Sequence, residues 1–482
     1  MAAPRQNEIN ERATVVATTT FDVVAIRWPG SDIPEFMIAP YLRHDKRGMR
    51  FPSEVALIID RLHAHGHQAY LVGGCVRDIL LGLEPKDWDV ATSAQPAELT
   101  RLFEGANQVG AHFGVVLWNN VEIATFRSDG PYNDGRRPES VHFEADPSKD
   151  ASRRDFTING LFYDTAKGEV LDFVNGRQDL ANKMIRAIGD PNKRIAEDHL
   201  RMLRAVRFAA RFEFEIEART ANAIRSWRRQ AASVAVERTR DELSKILTER
   251  HPRRGFELLN DLELLEPVLP EIKAMQGVAQ PRDFHPEGDV WTHTLLMLEG
   301  LRQPTLTLAW GVLLHDVGKP RTFEETDRIR FNGHAEVGAK MSVEILSRLR
   351  YSAVVIDRVR ELVAQHLKFI EVRRMKESTR KRFLRQDLFE ELLELHRLDS
   401  QSSHGNMEAY EYCKQAVHSL PPETLRPKPL LSGDDVKALG VSEGPIIGQI
   451  LRQIEDAQLD GTLTSRDAAI ALALEQIAHA NR

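Results

Sequence analysis

The chain has 482 residues, enough for about three domains that each bury a core. Hydrophobic residues make up 42% and charged residues 28%, ordinary soluble values, and no stretch approaches the ~20 apolar residues of a membrane span. A net charge of −6 disfavours a chain wholly dedicated to nucleic acid, and two distant cysteines, Cys75 and Cys413, exclude a disulfide framework or zinc ribbon and point to a reducing cytoplasm.

Residues 1–50 lack the apolar core of a secretory signal; "TVVATTTFDVVAIRW" is at most a strand or two, so the segment reads as a loosely attached or disordered extension. From "FPSEVALIIDRLHAHG" the pattern is regular. An amphipathic helix is followed by the strand-like runs "AYLVGG", "DWDVAT", "FGVVLW" and "VEIATFRS", which make a mixed α+β module over 51–185. Beyond it, 3.6-residue periodicity dominates to the end. The helical part divides into 186–260, 261–418 and 419–482, with proline-rich "LPPETLRPKPLL" (Leu420 to Leu431) as the linker before the last. The basic run "RRMKESTRKRFLR" (Arg373 to Arg385) is either a solvated helix face or a nucleic-acid patch.

Within the first module, Tyr70 to Ser93 reads "YLVGGCVRDILLGLEPKDWDVATS". Gly73 and Gly74 end a strand, and "CVRDILLG" begins a helix with Val76, Ile79 and Leu80 expected on its buried face. Backbone N–H groups at that start, with the Arg77 charge, suit a triphosphate. Side chains alternate along a strand, so Asp87 and Asp89 are expected on one face and Trp88 on the other, where both carboxylates grip one cation. Mg²⁺ suits such a pair, because it takes one or two protein carboxylates and completes its shell with water and phosphate. Alone, such a pair is more often a solvated turn; its place after the glycine turn strengthens the reading. Glu122, in "VEIATF", is a candidate third carboxylate. Downstream, "SRRDFTINGLFYD" carries Arg154 and Asp155.

The segment "IAEDHLRMLRAVRFAARF" places Ala196, Leu200, Leu203, Val206 and Ala210 at helical spacing, a buried stripe. Asp198 and Arg201 fall on a neighbouring face where both reach one ligand, with a plain ion pair as the bland alternative. Cytosine and adenine each offer an exocyclic amino donor beside a ring-nitrogen acceptor; uracil and guanine do not. A carboxylate beside a guanidinium therefore selects the first pair. Farther on, His293, the adjacent His315-Asp316 and Asp399 form an ordered series on helical patterns, with His334 and His366 between them. Such ligands from several helices can hold one or two divalent cations.

Taken together, G-G-x-V-R-D-x-L-L-G with D-x-D, R-R-D-F-T-x-N and E-D-x-x-R resemble motifs A, B and D of the class II tRNA nucleotidyltransferase and bacterial poly(A) polymerase family. "LDFVNGRQDL" and "ERTRDELSKIL" (Glu237 to Leu247) resemble its motifs C and E, and the histidine series resembles the HD phosphohydrolase superfamily. The resemblance covers roughly residues 55–480. It implies an α+β fold: a mixed-sheet, polymerase-β-like nucleotidyltransferase head, then a long, nearly all-helical neck, an HD body and a tail. It further implies that Asp87 and Asp89 hold catalytic Mg²⁺, and that Gly73, Gly74, Arg77, Arg154, Asp155, Asp198, Arg201, Arg204 and Arg207 bind nucleotide. His293, His315, Asp316 and Asp399, joined by His334 and His366, would hold a second divalent metal. Gly160 stands where the family usually has alanine. The loop "DGRRP" (Asp134 to Pro138) matches one that accompanies terminal A addition. The implied activity is completion of the CCA end of tRNA from CTP and ATP; A-only addition, poly(A) synthesis, and an HD phosphohydrolase with a nucleotide-binding head stay open.

Overall fold

The computed structural model describes residues 42–44, 50–107, 114–132, 135–136, 138–282 and 285–480, so most of the expected N-terminal extension lies outside the described residues, as do Asp134 and Arg137 of the loop "DGRRP". The chain divides into two compact units, one drawn from residues up to Arg127 with 143–149 and 161–171, the other from the remainder.

In the first unit, helix α1 (Ser53–Ala64) turns Val55, Ile58, Ile59 and Leu62 inward. The main sheet is built from β1 (Ala69–Val72), β2 (Asp89–Thr92), β3 (Val115–Trp118), β4 (Val121–Thr125), β5 (Leu161–Asp164) and β6 (Glu169–Asp172), in the order β6-β5-β1-β2-β4-β3. Strand β1 runs antiparallel to β2 and β5, whereas β2 and β4 are parallel, so the sheet is mixed as expected. Val90 and Ile123, in register on β2 and β4, are fully buried and anchor the sheet's covered face.

Helix α2 (Gly74–Leu80) corrects one expectation. Its buried residues are Cys75, Val76, Arg77 and Asp78, while Leu80 is 41% exposed and Ile79 only half-buried. Seven residues give two turns at most, and only the first faces the sheet. Two charges can sit there because Arg77 Nη2 donates to Asp78 Oδ1 at 2.7 Å.

The second unit is predominantly helical. Helix α3 (Pro191–Glu197) and helix α4 (Arg201–Phe212) replace the single helix expected across Ala196 to Ala210. Leu200, Leu203, Val206 and Ala210 are buried, but Ala196 is only half-buried and Asp198 is extended, with φ −149° and ψ 104°. The carboxylate accepts the Leu200 N–H at 3.2 Å, the local bond by which aspartate competes with the helix. The apolar stripe runs across the break and conceals it. Helix α5 (Val236–Thr248) follows.

The histidine series lies on α6 (Val290–Gly300), the end of α7 (Leu306–Leu314), α8 (His334–Arg348), the end of α9 (Ala353–Gln365) and, past α10 (Glu377–Leu384), on α11 (Phe389–Ser402). Helices α12 (Gly433–Ala438), α13 (Pro445–Leu459) and α14 (Arg466–Ala480) close a small core of Leu431, Val436, Ile447, Ile450, Ile454, Ala469 and Ala473. Much of the basic run is consumed in holding that core to α10. Arg382 and Arg385 pair with Glu455 at 2.7 and 2.5 Å, Arg382 also pairs with Asp456, and Lys376 pairs with Asp460 at 2.9 Å. Among the described residues, no helix is long and apolar enough to cross a membrane.

Candidate active site and metal centre

Motif A sits in the first unit. Gly73 has φ +75°, a conformation that glycine adopts without strain, and turns the chain from β1 into α2. Asp89 is the first residue of β2; Asp87 lies in a bend before it, so strand alternation fixes the direction of Asp89 only. Glu122 is in register with Asp89 on the neighbouring parallel strand, which sets both carboxylates on one face of the sheet. Asp87 and Glu122 are exposed and Asp89 half-buried, an open rim of negative charge fit for a hard, hydrated cation. Asp78 and the Cys75 thiol, which burial pushes up to about 11, belong to the core beneath.

Motifs B, D and E meet in the second unit. Arg154 donates from Nε and Nη2 to Asp150 Oδ2 at 3.1 and 2.9 Å. Asp155 accepts from Arg204 Nε at 2.8 Å and Asn159 Nδ2 at 3.0 Å. Burial opposes ionisation of Asp155, but the Arg204 guanidinium outweighs it and holds the carboxyl well below its usual range. The side chains of Asp198 and Arg201 do not pair with each other, although the Arg201 N–H donates to the Asp198 carbonyl oxygen at 3.0 Å. Arg201 reaches Glu197 at 2.8 Å and the carbonyl oxygens of Arg194 and Arg153 at 2.7 and 3.2 Å, whereas Asp198 takes both forks of Arg238 on α5. Arg207 donates to Glu242 on the same helix at 2.6 Å. The motif E helix thus braces motif D through ion pairs of Asp198 with Arg238 and of Arg204 and Arg207 with Glu242, and the sequence reading did not single out Arg238 or Glu242. Gly135, with φ +64°, accepts the His199 N–H at 3.2 Å and packs on its ring, joining "DGRRP" to motif D.

Gly160 has an ordinary φ of −93°, and its reason is space: a Cβ there would meet Val174 Cγ2 at 2.7 Å and Ile188 Cδ1 at 3.2 Å. The departure from alanine matches a local filling of that volume by valine.

All six HD residues converge. Asp316 Oδ2 is 3.2 Å from His315 Nε2, and its Oδ1 is 3.5 and 3.9 Å from the Nε2 atoms of His334 and His366. Asp399 Oδ1 is 3.1 Å from His293 Nε2. The Nδ1 atoms of His315, His334 and His366 face the carbonyl oxygens of Val312, Phe331 and Val363 at 2.8, 2.8 and 2.7 Å, which makes each an N–H donor and leaves Nε2 as a lone pair aimed inward. The Nε2 atoms of His293 and His315 are buried without a hydrogen bond even though a carboxylate oxygen lies near each. Donor atoms at that spacing, out of line for hydrogen bonds, are arranged as ligands of a shared ion, so the residues fit the divalent metals that this fold implies.

Electrostatics agree with that fit. Burial works against a charged His293, but Asp399 and Glu287 outweigh it and push the ring up to about 9, a place that attracts positive charge. Burial, reinforced by His315, pushes His366 down to about 4 and keeps it neutral, the form that ligates. Asp316 is held well below the carboxylate range despite its burial by His315 and Lys319. Lys319 is itself buried, 2.6 Å from Asp316 Oδ2 and donating to Gln280 Oε1 at 2.6 Å. The sequence reading missed Lys319, Gln280 and Glu287; the short "HDVGK" run was the visible signal for the first. Gly318 and Gly338 bring the chain after α7 against α8: a Cβ on Gly318 would strike the His334 carbonyl oxygen, and one on Gly338 would lie 3.3 Å from Gly318 N.

Residues 69–186 match the poly A polymerase head domain, 213–276 the probable RNA and SrmB binding site of polymerase A, and 289–400 the HD domain. The CCA-adding enzyme of Bacillus pumilus is 35% identical over 298 residues, 61% of this chain and 70% of that protein. That of Lactiplantibacillus plantarum is 44% identical over 224 residues, 45% of this chain and 55% of its relative, so the chain spans just over half of that protein's length. A solved Bacillus stearothermophilus CCA-adding enzyme in complex with CTP matches with a TM-score of 0.69 and 25% identity, covering 90% of this chain and all of that one. By that similarity in sequence and in fold, the chain belongs to the CCA-adding enzyme family.

Proposed function

We propose that this protein is a cytoplasmic, template-independent nucleotidyltransferase that completes or repairs the 3′-terminal CCA of tRNA from CTP and ATP. The observation that carries the reading is the Asp89 and Glu122 register, which sets two carboxylates beside the Asp87 bend at the rim of the sheet. Those three side chains would hold Mg²⁺, which supplies charge to activate the RNA 3′-hydroxyl and stabilise the departing pyrophosphate. The protein's own contribution is positional. The turn at Gly73 and Gly74 meets the triphosphate, with Arg77, buried and paired with Asp78, adding its charge from beneath; Arg154 and Asp155 meet the sugar, and Asp198 with Arg201 reads the base, backed by Arg204 and the buried Arg207. Asp198 accepts from the exocyclic amino group that cytosine and adenine share, which requires Arg201 to turn from Glu197 toward the base.

The domain limits that follow are head 51–185, neck 186–260, HD body 261–418 and tail 419–482. A second activity, metal-dependent phosphohydrolysis by the HD centre, is favoured by the inward-facing Nε2 atoms of four histidines. The test offers tRNA transcripts ending before CCA, after C and after CC with labelled CTP and ATP. Full CCA on all three is expected, with loss on Asp89→Asn; a single A only on the CC end, or long A tails on generic RNA, would replace this reading by A-only or poly(A) addition.

A further inference from the structure

Next to the HD ligands lies a group that none of the motifs contains. Glu287 Oε1 is 2.7 Å from His293 Nδ1 and 2.9 Å from His285 Nδ1, and the two rings meet edge to face with centroids 4.9 Å apart. The Glu287 side chain is 8% exposed, and its other oxygen, Oε2, is buried without a hydrogen bond. The turn that bears it is pinned by Asp289, whose carboxylate accepts the N–H groups of Thr292 at 2.8 Å and Gly277 at 2.6 Å. Donor atoms of His285, Glu287 and His293 lie within 4.8 Å of one another, close enough to invite assignment as another ion site.

Hydrogen-bond chemistry argues otherwise. Oε1 sits at ordinary hydrogen-bond length from both Nδ1 atoms, and a carboxylate oxygen only accepts, so each Nδ1 carries a proton. An ion at His293 Nδ1 together with one at its Nε2 would require the ring to lose both protons. We propose that Glu287 is a positioning residue of the HD centre: it fixes His293 in the Nδ1–H form with Nε2 as the lone pair toward the ion, and His285 is the strut that keeps the carboxylate turned. His293 needs this help. The other three rings of the centre use backbone carbonyls, which the fold holds in place, whereas His293 depends on a side chain from a loop. Carboxylate partners of this kind typically change metal affinity by about 10- to 100-fold when removed.

The inference rests on the HD centre binding metal, and the experiment separates the two. Full-length protein carrying Asp87→Asn and Asp89→Asn, which silence the head, is stripped with chelator and titrated with Mn²⁺, free ion being read by electron paramagnetic resonance. The unaltered HD centre should bind and His315→Ala should lose an ion. Glu287→Gln should bind about 10- to 100-fold more weakly, with the melting temperature of the stripped protein unchanged, and His285→Gln should weaken binding less while preserving the fold. Affinity in both variants equal to that of the unaltered centre, with His315→Ala still defective, would overturn the positioning role. Loss of a whole additional ion in Glu287→Gln or His285→Gln would overturn it in favour of a separate site. No Mn²⁺ bound even with the HD residues intact would overturn the metal reading and the inference with it.

Discussion

Asp198 and Arg238, forty residues apart, form a two-pronged pair: Nη1 donates to Oδ1 at 2.9 Å and Nη2 to Oδ2 at 2.8 Å. Both oxygens of the proposed base reader are therefore aimed by a guanidinium outside motif D. Charged hydrogen bonds are worth about 1.5–3 kcal/mol, so Arg238→Gln should lower kcat/KM for CTP and ATP by about 10- to 100-fold. Discrimination against UTP should fall with it. Steady-state incorporation with each nucleotide checks this, and an unchanged UTP ratio would mean that Arg238 only braces the fold.

Glu122→Gln should reduce nucleotide addition by at least about 10-fold and raise the Mg²⁺ concentration needed for half-maximal rate. The reason is its register with Asp89. A Mg²⁺ titration of rate measures both effects, and a normal titration would remove Glu122 from the ion's shell.

Asp155 gives a pH dependence. Burial opposes its charge, yet Arg204 pulls its folded pKa below the unfolded value of about 3.9. A depressed carboxylate contributes stability that is complete above the unfolded pKa and lost as pH falls toward the folded one. The melting temperature should hold from neutral pH to about 5 and drop in more acid solution. Asp155→Asn, less stable at neutral pH, should show a shallower acid limb in the same thermal scans.

Gly160→Ala should destabilise by about 1–3 kcal/mol, since the methyl group lands on stiff Val174. Adding Val174→Ala should recover much of that, which urea unfolding of the single and double variants would show.

The pairing of the basic run with α13 bears on RNA. Arg382 and Arg385 are committed to Glu455, so replacing both by alanine should loosen the tail without changing how RNA affinity falls with salt. A salt slope reduced by ~1 per residue would show phosphate contacts instead.

Short-range chemistry was the legible part of the sequence. The α+β head, the helical remainder and the ordered HD series follow from periodicity and motif order, because each signal lies within one element or one string, whereas the mixed sheet was implied only by the family resemblance. What escaped was set by neighbours distant in sequence or by local competition. Glu242 finds Arg207 across thirty-five positions, and Gln280 finds Lys319 across thirty-nine. The break at Asp198 hides beneath an apolar stripe that both helices share, and Ile79 and Leu80 look buried until the length of α2 is known.

Gly318 and Gly338 are not ligands, yet the width of the HD cavity is written in them. Their missing side chains let two backbones touch, so the distance from Asp316 to His334 is gauged by hydrogen atoms rather than by any coordinating group. A single methyl group placed there would act as a shim, driving the main chain at Gly318 away from α8 and His334 away from Asp316 while leaving each of those two side chains in the sequence.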